Sequence, residues 1–483
     1  MRILFATYWY MPHVGGVSTY MYLLKNELER VGHQVDILAH HPDMQQIYLQ
    51  SRDTQLNGKS VKKSKIKDGL FNEMNGYYLK NLPHVEPWIR WREIERYTFE
   101  LCAALFDLKQ YDIIHTQDIV ATRALRRVKP AHIPLVYTLQ GLVANVHLFA
   151  GDITSKDSLS WKYVCAEEYY GTVSADKVIA TSDWLRRELS LSFGVPHQKM
   201  EAVIPYGMDA AAFLERMKED PDPPVHKAPG QLVIACPARL SAEKGHRTLI
   251  DAIGILKQHR NDFTCWIIGD GVLRSELEKY CVEKGVADCI DFMGNRSDVP
   301  ALLHKADVMV LASIEDNFPH AVMEAQIAGK AVVASNGGGI PEMIEHGKTG
   351  LIFEKSSATQ LAHHLNLLFS DSELRRQLGN NAKIFGAKQW SSKLLCERTL
   401  DVYERVITSA DIRGRIPMEQ PELDGKYGLI RDKRAASNAA SGILKFETDS
   451  VFYTKEWRTV IRCLPDSYSI PDTAFIKVLA KPQ

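Results

Sequence analysis

No two of the eight cysteines stand three residues apart, so the chain has no CxxC spacing for a zinc knuckle or a dithiol redox pair. Several thiols sit in apolar runs, as Cys236 does in LVIACPA, and they read as buried free thiols in a reducing compartment. No run approaches about 18 consecutive apolar residues, so no segment is expected to span a membrane. The N-terminal apolar run meets Pro12 and His13 too early for a signal peptide and reads better as a strand. The expected location is the cytoplasm. Neither sign of charge dominates, with 59 Lys+Arg against 59 Asp+Glu, so nothing global argues for nucleic acid as a partner. HExxH is absent. So is the dinucleotide fingerprint GxGxxG: HVGGVSTY lacks the third glycine, GDG at 269–271 has Arg274 in its place, and GGG at 337–339 has Glu342. EHGKTG fails as a phosphate-binding P-loop because Glu342 stands where that loop needs glycine. It reads instead as a turn before the strand GLIF. The DxD pair Asp220 and Asp222 lies among prolines and reads as a solvated acidic turn, so no metal ligands are assigned.

What the chain does have is a regular alternation. Its 483 residues allow about two to four domains. Short β-branched runs alternate with helical patterns, first as RILFA, QVDILA, DIIHTQ, PLVYTLQ, KVIATS and EAVIP. Tyr20, Leu24, Leu28 and Val31 repeat at helical spacing, with Gly32 as a stop. This is the βαβ grammar of a parallel sheet. LERMKEDPDPPVHKAPGQ then breaks the pattern and reads as a linker. The grammar restarts with LVIACPA, FTCWIIG, CIDFMG, DVMVLAS, KAVVAS and GLIF.

The expected architecture is α/β, with two open Rossmann-like domains facing a shared cleft, because open parallel sheets bind ligands at strand C-terminal ends. The first domain spans 1–206 and the second 207–390. An amphipathic helix covers 391–408, and 409–483 reads as a C-terminal appendage. KSVKKSKIKDG reads as a basic loop and EPWIRWREIERYTFELCAAL as a helix carrying Trp88 and Trp91. The two readings open here are a solvated loop on a packed helix, or contact with an anionic acceptor or a membrane surface.

Two segments carry chemistry. In PARLSAEKGHRTLIDAI a strand ends, a loop holds Arg239 and Lys244, and a helix begins near Gly245. Two cations beside a helix N-terminus make an anion site, Arg forking two oxygens and Lys acting as a point charge. In ASIEDNFPHAVMEAQIAGKAVVAS a strand ends at Ala312, Glu315 and Asp316 lie in the following loop, and Glu324 lies within a helix from about Pro319. Carboxylates accept paired hydrogen bonds from adjacent hydroxyls, which suits a ribose or a sugar. Backbone N–H groups at Asn317, Phe318 and His320 face the same place.

Taken in order, ARLSAEKG, IIGDGVLRSELE, IDFMGNRSDVPALLHKADVMVLAS and the D-x7-E segment before GKAVVAS resemble the C-terminal domain of GT-B glycosyltransferases of the large retaining family 4. GGVSTY, DIIHTQD, VYTLQG, ATSDWLRREL and VIPYGMD extend the resemblance to the first domain, over roughly residues 1–408. The resemblance implies a hexosyltransferase that moves a sugar from a nucleoside-diphosphate sugar, UDP-linked in preference to GDP-linked, to an acceptor hydroxyl with retention. It implies that Arg239 and Lys244 hold the donor diphosphate, that Asp316 (usually Glu in the family) contacts the transferred sugar, with Glu315 as a second candidate, and that Glu324 holds the ribose. Gly269 and the backbone near Met293 and Gly294 fall on the donor side. Gly15 and Gly16 are expected to approach the donor's distal phosphate and sugar, or an acceptor hydroxyl.

The first domain departs from the family pattern on the acceptor side. Gln140 stands where many relatives have His, and His115 is followed by Gln117 in place of a second His. Glutamine hydrogen-bonds a hydroxyl but takes no proton, so no general base is assigned. A front-face mechanism is expected, with the departing phosphate oxygen receiving the acceptor proton. No cofactor is expected, and no metal. The acceptor is a glycan, a lipid-linked sugar or a small molecule. Peripheral membrane contact at the inner face, and self-association through 409–483, are the remaining partner readings. A nucleotide-sugar epimerase or phosphorylase on the same fold, or a non-catalytic sugar-nucleotide-binding partner, are the alternatives.

Overall fold

The computed structural model describes residues 1–13, 15–51, 58–200, 202–409 and 455–465, together with 468, 470–472, 476 and 478–479. The chain forms two compact units. Unit 1 comprises Met1–Ala180, Arg186–Val203 and Arg398–Gln483; unit 2 comprises Thr181–Leu185 and Ile204–Glu397.

Unit 1 is built on β1 (Arg2–Tyr10), β2 (Gln34–His40), β3 (Gln46–Gln50), β4 (Ser60–Lys62), β5 (Ile113–Thr116), β6 (Leu135–Leu139), β7 (Lys177–Ala180) and β8 (Ala202–Val203). They lie in the order β4-β3-β2-β1-β5-β6-β7-β8. The run from β2 to β8 is parallel, whereas β3 and β4 pair antiparallel at the edge. Ile3, Leu4, Phe5, Val35, Ile37, Ile113 and Ile114 have no solvent exposure, as strands covered on both faces require.

The basic stretch expected to be a loop is instead β4 followed by a helix, Ser64–Asn81. Ile66, Leu70, Met74 and Tyr78 recur every fourth residue and are buried, a helical stripe that the intervening lysines obscure. Lys63 turns inward onto Glu95 at 2.8 Å, and Lys67 joins the same carboxylate. In the helix Pro87–Ala103, Trp88 is half-buried and Trp91 exposed.

The far end of the chain is not an appendage where it is described. Trp457, Val460, Leu464, Tyr468, Ile470, Ile476 and Leu479 belong to the main core of unit 1. Residues 410–454 lie outside the described residues, and the segment Lys455–Cys463, whose runs read as strand-like in the sequence, is a helix. Asp472 enters a buried charge cluster. Its carboxylate is 3.3 Å from Arg123 and from Arg127 and 3.8 Å from Arg96. Arg96 also binds Glu93 at 2.9 Å and Glu100 at 2.5 Å, while Arg123 binds Glu93 at 2.9 Å. The arginines hold the Glu93 and Asp472 carboxyls below the usual carboxylate range, against the opposing effect of burial.

Unit 2 is built on β9 (Leu232–Pro237), β10 (Phe263–Ile268), β11 (Ile290–Gly294), β12 (Val308–Leu311), β13 (Ala331–Ser335) and β14 (Leu351–Phe353). The order is β11-β10-β9-β12-β13-β14, with every pair parallel. Part of the expected linker is a helix, Ala210–Arg216, capped by Asp209, whose Oδ1 accepts from the Ala212 N–H at 2.9 Å. Six of the eight cysteines are buried; Cys165 is half-buried and Cys463 exposed. Among the described residues no helix is long and apolar enough to cross a membrane.

Removing one partner from a buried ion cluster leaves the others uncompensated, at a cost of about 3–5 kcal/mol. Asp472→Ala is therefore expected to lower the free energy of unfolding of unit 1 by that order, measured by urea unfolding. Because Glu93 and Asp472 titrate below their unfolded values, their contribution is present above the ordinary carboxylate range and is lost as pH falls below that range through their lower folded values. Acid titration of the variant should show a smaller acid-induced loss than the wild type.

Candidate active site

The order of the second sheet reverses between β9 and β12. Chain growth runs outward through β10 and β11 on one side and through β13 and β14 on the other. At such a switch point the loops leaving the two neighbouring strands diverge and open a crevice at the strand C-termini. Those loops are the two segments that carry chemistry in the sequence. After β9 come Arg239 and Lys244 and then the helix His246–Lys257; after β12 come Glu315 and Asp316 and then the helix His320–Ile327.

The loops are tied together. Lys244 Nζ lies 2.5 Å from Asp316 Oδ2, and the Ile314 N–H donates to the Glu243 carbonyl at 2.7 Å. Gly245 adopts φ +66°, and a Cβ there would lie 2.0 Å from the Ala312 carbonyl oxygen. Only glycine combines this handedness with so close an approach. Arg239 projects outward with its side chain 78% exposed, touching Glu243 at 3.3 Å.

The Asp316 loop rests on the GGG at 337–339, which the sequence marked only as a failed fingerprint. A Cβ on Gly337, Gly338 or Gly339 would lie 2.5, 2.2 or 2.1 Å from the carbonyls of Ile314, Asp316 and Asn317 respectively. The Gly339 N–H donates to the Asp316 carbonyl at 2.8 Å. These glycines pack main chain on main chain beneath the loop.

The other expected donor residues divide by what is left to them. Asn317 spends its side chain on structure, accepting from Ser182 Oγ and donating to Thr181 Oγ1. Phe318 is buried edge-on against Tyr206 and Trp390. Both therefore have only backbone to offer a ligand. His320 stacks on Tyr206 at 4.9 Å, and burial pushes its imidazole down to about 4, so it is neutral near pH 7. Glu324 is half-buried, and burial lifts its carboxyl to about 7 against the opposing charge of Arg216. Glu315 is half-buried beside Asp316. Met293 is half-buried near the end of β11. Gly269 packs beneath the Arg239 loop, where a Cβ would lie 2.2 Å from the Ala238 carbonyl oxygen.

The first sheet also reverses, between β1 and β5. Asp118 joins these strand ends, accepting from Thr7 Oγ1 at 2.9 Å and from the Tyr8 N–H at 2.7 Å while capping the helix Ile119–Val128. Gly16 opens the helix Gly16–Arg30, and the Gly15 carbonyl accepts from the Thr19 N–H. The backbone at Gly15 is extended, so its conformation does not itself demand glycine. Gln140 is half-buried and donates to Gln117 Oε1 at 2.9 Å. His115 does not take the expected acceptor-side place. It has no solvent exposure, and its ring nitrogens meet Tyr403 Oη at 2.6 Å and Thr138 Oγ1 at 2.7 Å. Burial holds it down to about 3, neutral and fully satisfied inside the core. The sequence carried no sign of the Tyr403 partner, 288 residues away.

Gly338→Ala tests the glycine support. It adds strain at φ +69° and a clash with the Asp316 carbonyl, together expected to cost about 2 kcal/mol or more. Gly347→Ala, at φ +75° with nothing within 4 Å, carries the strain alone and should cost about 1 kcal/mol. Thermal unfolding of the pair measures the difference.

The family model described as Glycosyl transferases group 1 matches residues 218–385, and that described as Glycosyltransferase Family 4 matches residues 14–212. A glycosyltransferase of Methanocaldococcus jannaschii is 26% identical over 412 residues, covering 84% of this chain and 98% of that one. An MMP alpha-(1->4)-mannosyltransferase of Mycolicibacterium hassiacum is 24% identical, with the same coverage of 84% and 98%. In fold, the chain is similar to Anabaena HepE in complex with UDP and glucose, with a TM-score of 0.58, 19% identity and coverage of 84% and 99%. It is likewise similar to sucrose-phosphate synthase of Thermosynechococcus elongatus, with a TM-score of 0.61, 18% identity and coverage of 84% and 98%. Two α/β units with parallel sheets, carrying these matches along both, show that the chain belongs to the group 1, family 4 glycosyltransferases on the GT-B fold, enzymes that transfer a sugar from a nucleotide sugar.

Proposed function

We propose that the protein is a retaining glycosyltransferase that uses a nucleoside-diphosphate sugar, UDP-linked in preference to GDP-linked, without a metal. The observation that carries this reading is the adjacency of Lys244 and Asp316 beside the exposed Arg239 at the β9/β12 switch point. A diphosphate placed there competes with Asp316 for the Lys244 ammonium and takes a forked contact from Arg239. As the glycosidic bond breaks, negative charge grows on the departing diphosphate, and these two cations stabilise it. Two fixed cations supply the charge compensation for which other transferases use a divalent ion. Asp220 is exposed, 3.8 Å from Lys305, as a solvated acidic turn would be.

Asp316, released from Lys244, accepts from a hydroxyl of the transferred sugar, with Glu315 beside it. Glu324 accepts from the ribose hydroxyls. The N–H groups of Asn317, Phe318 and His320 meet the phosphate or sugar, since the first two side chains are committed elsewhere. The base is read by backbone near Met293. UDP is the nucleotide in the HepE complex, which supports a uridine donor.

The acceptor hydroxyl is received by unit 1, through Gln140 and the Gly15–Gly16 turn. With His115 neutral and enclosed, unit 1 offers no histidine base at this position. The proton then passes to the departing phosphate oxygen, on the face from which the leaving group departs. The acceptor is a glycan, a lipid-linked sugar or a small molecule, and the exposed Trp91 supports peripheral membrane contact.

The test is turnover with UDP- and GDP-sugars, read as slow donor hydrolysis. Lys244→Ala should lower it by about 100-fold or more, and a loss of only a few-fold would remove Lys244 from the mechanism. Gly16→Val should lower transfer while leaving nucleotide affinity close to wild type. Equal loss of both would place that turn in donor binding.

A further inference from the structure

The segment that reads as a linker in the sequence is fastened to the loop that follows β11. Arg216, the last residue of the helix Ala210–Arg216, donates through Nη2 to the Ser297 carbonyl. Six residues on, the Asp222 N–H donates to Asp298 Oδ2 at 2.9 Å. From the other side, Arg296 Nη2 donates to the Pro223 carbonyl at 2.8 Å. Arg296 and Asp298 then close on each other through two bonds, of 2.7 and 2.5 Å, with side chains only 6% and 11% exposed. A short stretch with no hydrophobic periodicity is thus held at both ends by charge-assisted bonds, which are stronger than neutral ones.

What it is fastened to matters. The loop 295–298 directly continues Met293 and Gly294. Burial pushes the Glu324 carboxyl up while the charge of Arg216 pulls it down, and the helices that carry the two residues pack against each other. His320 lies one turn earlier on the Glu324 helix and is neutral near pH 7. Asp316, eight residues earlier, is engaged by Lys244. One guanidinium therefore touches the main chain beyond the expected base-reading strand and biases the expected ribose carboxylate. A planar group with five donors suits that double task, where a single ammonium does not.

We propose that Arg216–Pro223 is a wall of the nucleoside subsite, and that Arg216 is a positioning residue that sets both Glu324 and the loop Met293–Asp298 for the ribose and base of a nucleoside diphosphate. This rests on the donor reading given above. The ligand class is a ribonucleoside diphosphate, because a carboxylate that accepts from adjacent hydroxyls recognises an unmodified ribose.

The experiment is calorimetric binding of UDP and of GDP to the full chain between pH 5.5 and 8.5. The proteins are wild type, Arg216→Met, Arg216→Lys, Glu324→Gln and Lys244→Ala, with thermal unfolding of each. A protonated Glu324 is a poorer acceptor, so wild-type affinity falls as pH drops through its titration. Losing Arg216 removes the charge that favours the carboxylate, so in Arg216→Met this acid limb moves to higher pH. Affinity at pH 7 should fall about tenfold, the scale of one hydrogen bond to a charged group. Arg216→Lys should return the limb toward wild type without restoring the full affinity. A purely structural role would lower the unfolding midpoint and leave the limb where it was. The proposal is overturned if Arg216→Met binds as wild type with an unmoved profile while Glu324→Gln and Lys244→Ala weaken binding. If those two variants also bind as wild type, the donor assignment falls as well.

Discussion

The active half of this enzyme depends on the adjacency of β9 and β12 in a sheet that grows outward from both. Residues 239–245 and 312–317 are some seventy positions apart in the chain, yet the sheet brings them edge to edge. The Lys244–Asp316 contact follows from that adjacency. So do the Ile314–Glu243 backbone bond and the pressure of Gly245 on Ala312. A crevice at such a point presents helix N-termini and loop ends from both sides. The charged groups of the two loops therefore share one place.

Precision at that place comes from main chain lying on main chain. The glycines at 337–339 let one loop rest directly on the carbonyls of the other. Asn317 and Phe318 anchor the same loop through their side chains. A loop fixed in this way presents backbone N–H groups at little entropic cost when a ligand arrives. Unit 1 solves a different problem. Its helices bring several arginines into the interior, and Asp472, from the far end of the chain, completes their compensation. The described residues at the end of the chain are thereby part of the core of that unit.

The sequence exposed much of this plan and hid specific parts of it. The parallel strands were legible because runs buried on both faces are continuously apolar. β3 and β4 were missed because short edge strands carry mixed polarity, and the helix Ser64–Asn81 was missed because its lysines mask a regular stripe. Arg239, Lys244 and Asp316 stood out as charges in loops between a strand and a helix, which is where the structure places them. His115 was singled out by its place in the family pattern, not by its surroundings. Its enclosure by Thr138 and Tyr403 depends on contacts across 23 and 288 positions, which no local pattern encodes. The glycine triad was visible, but its purpose was not, since a close approach is a property of two loops and not of one.

By itself the sequence determined the alternation of strands and helices, the restart after residue 230 and the order of the charged motifs, because periodicity and turn chemistry act over a few residues. Only the tertiary structure decided that Lys244 meets Asp316, that 337–339 support the Asp316 loop, that the stretch after Arg216 is fastened to the loop beyond β11, and that Asp472 sits among arginines. Each of these is an approach between segments far apart in the chain, set by strand order and packing, and an approach of that kind leaves no periodic trace in either segment.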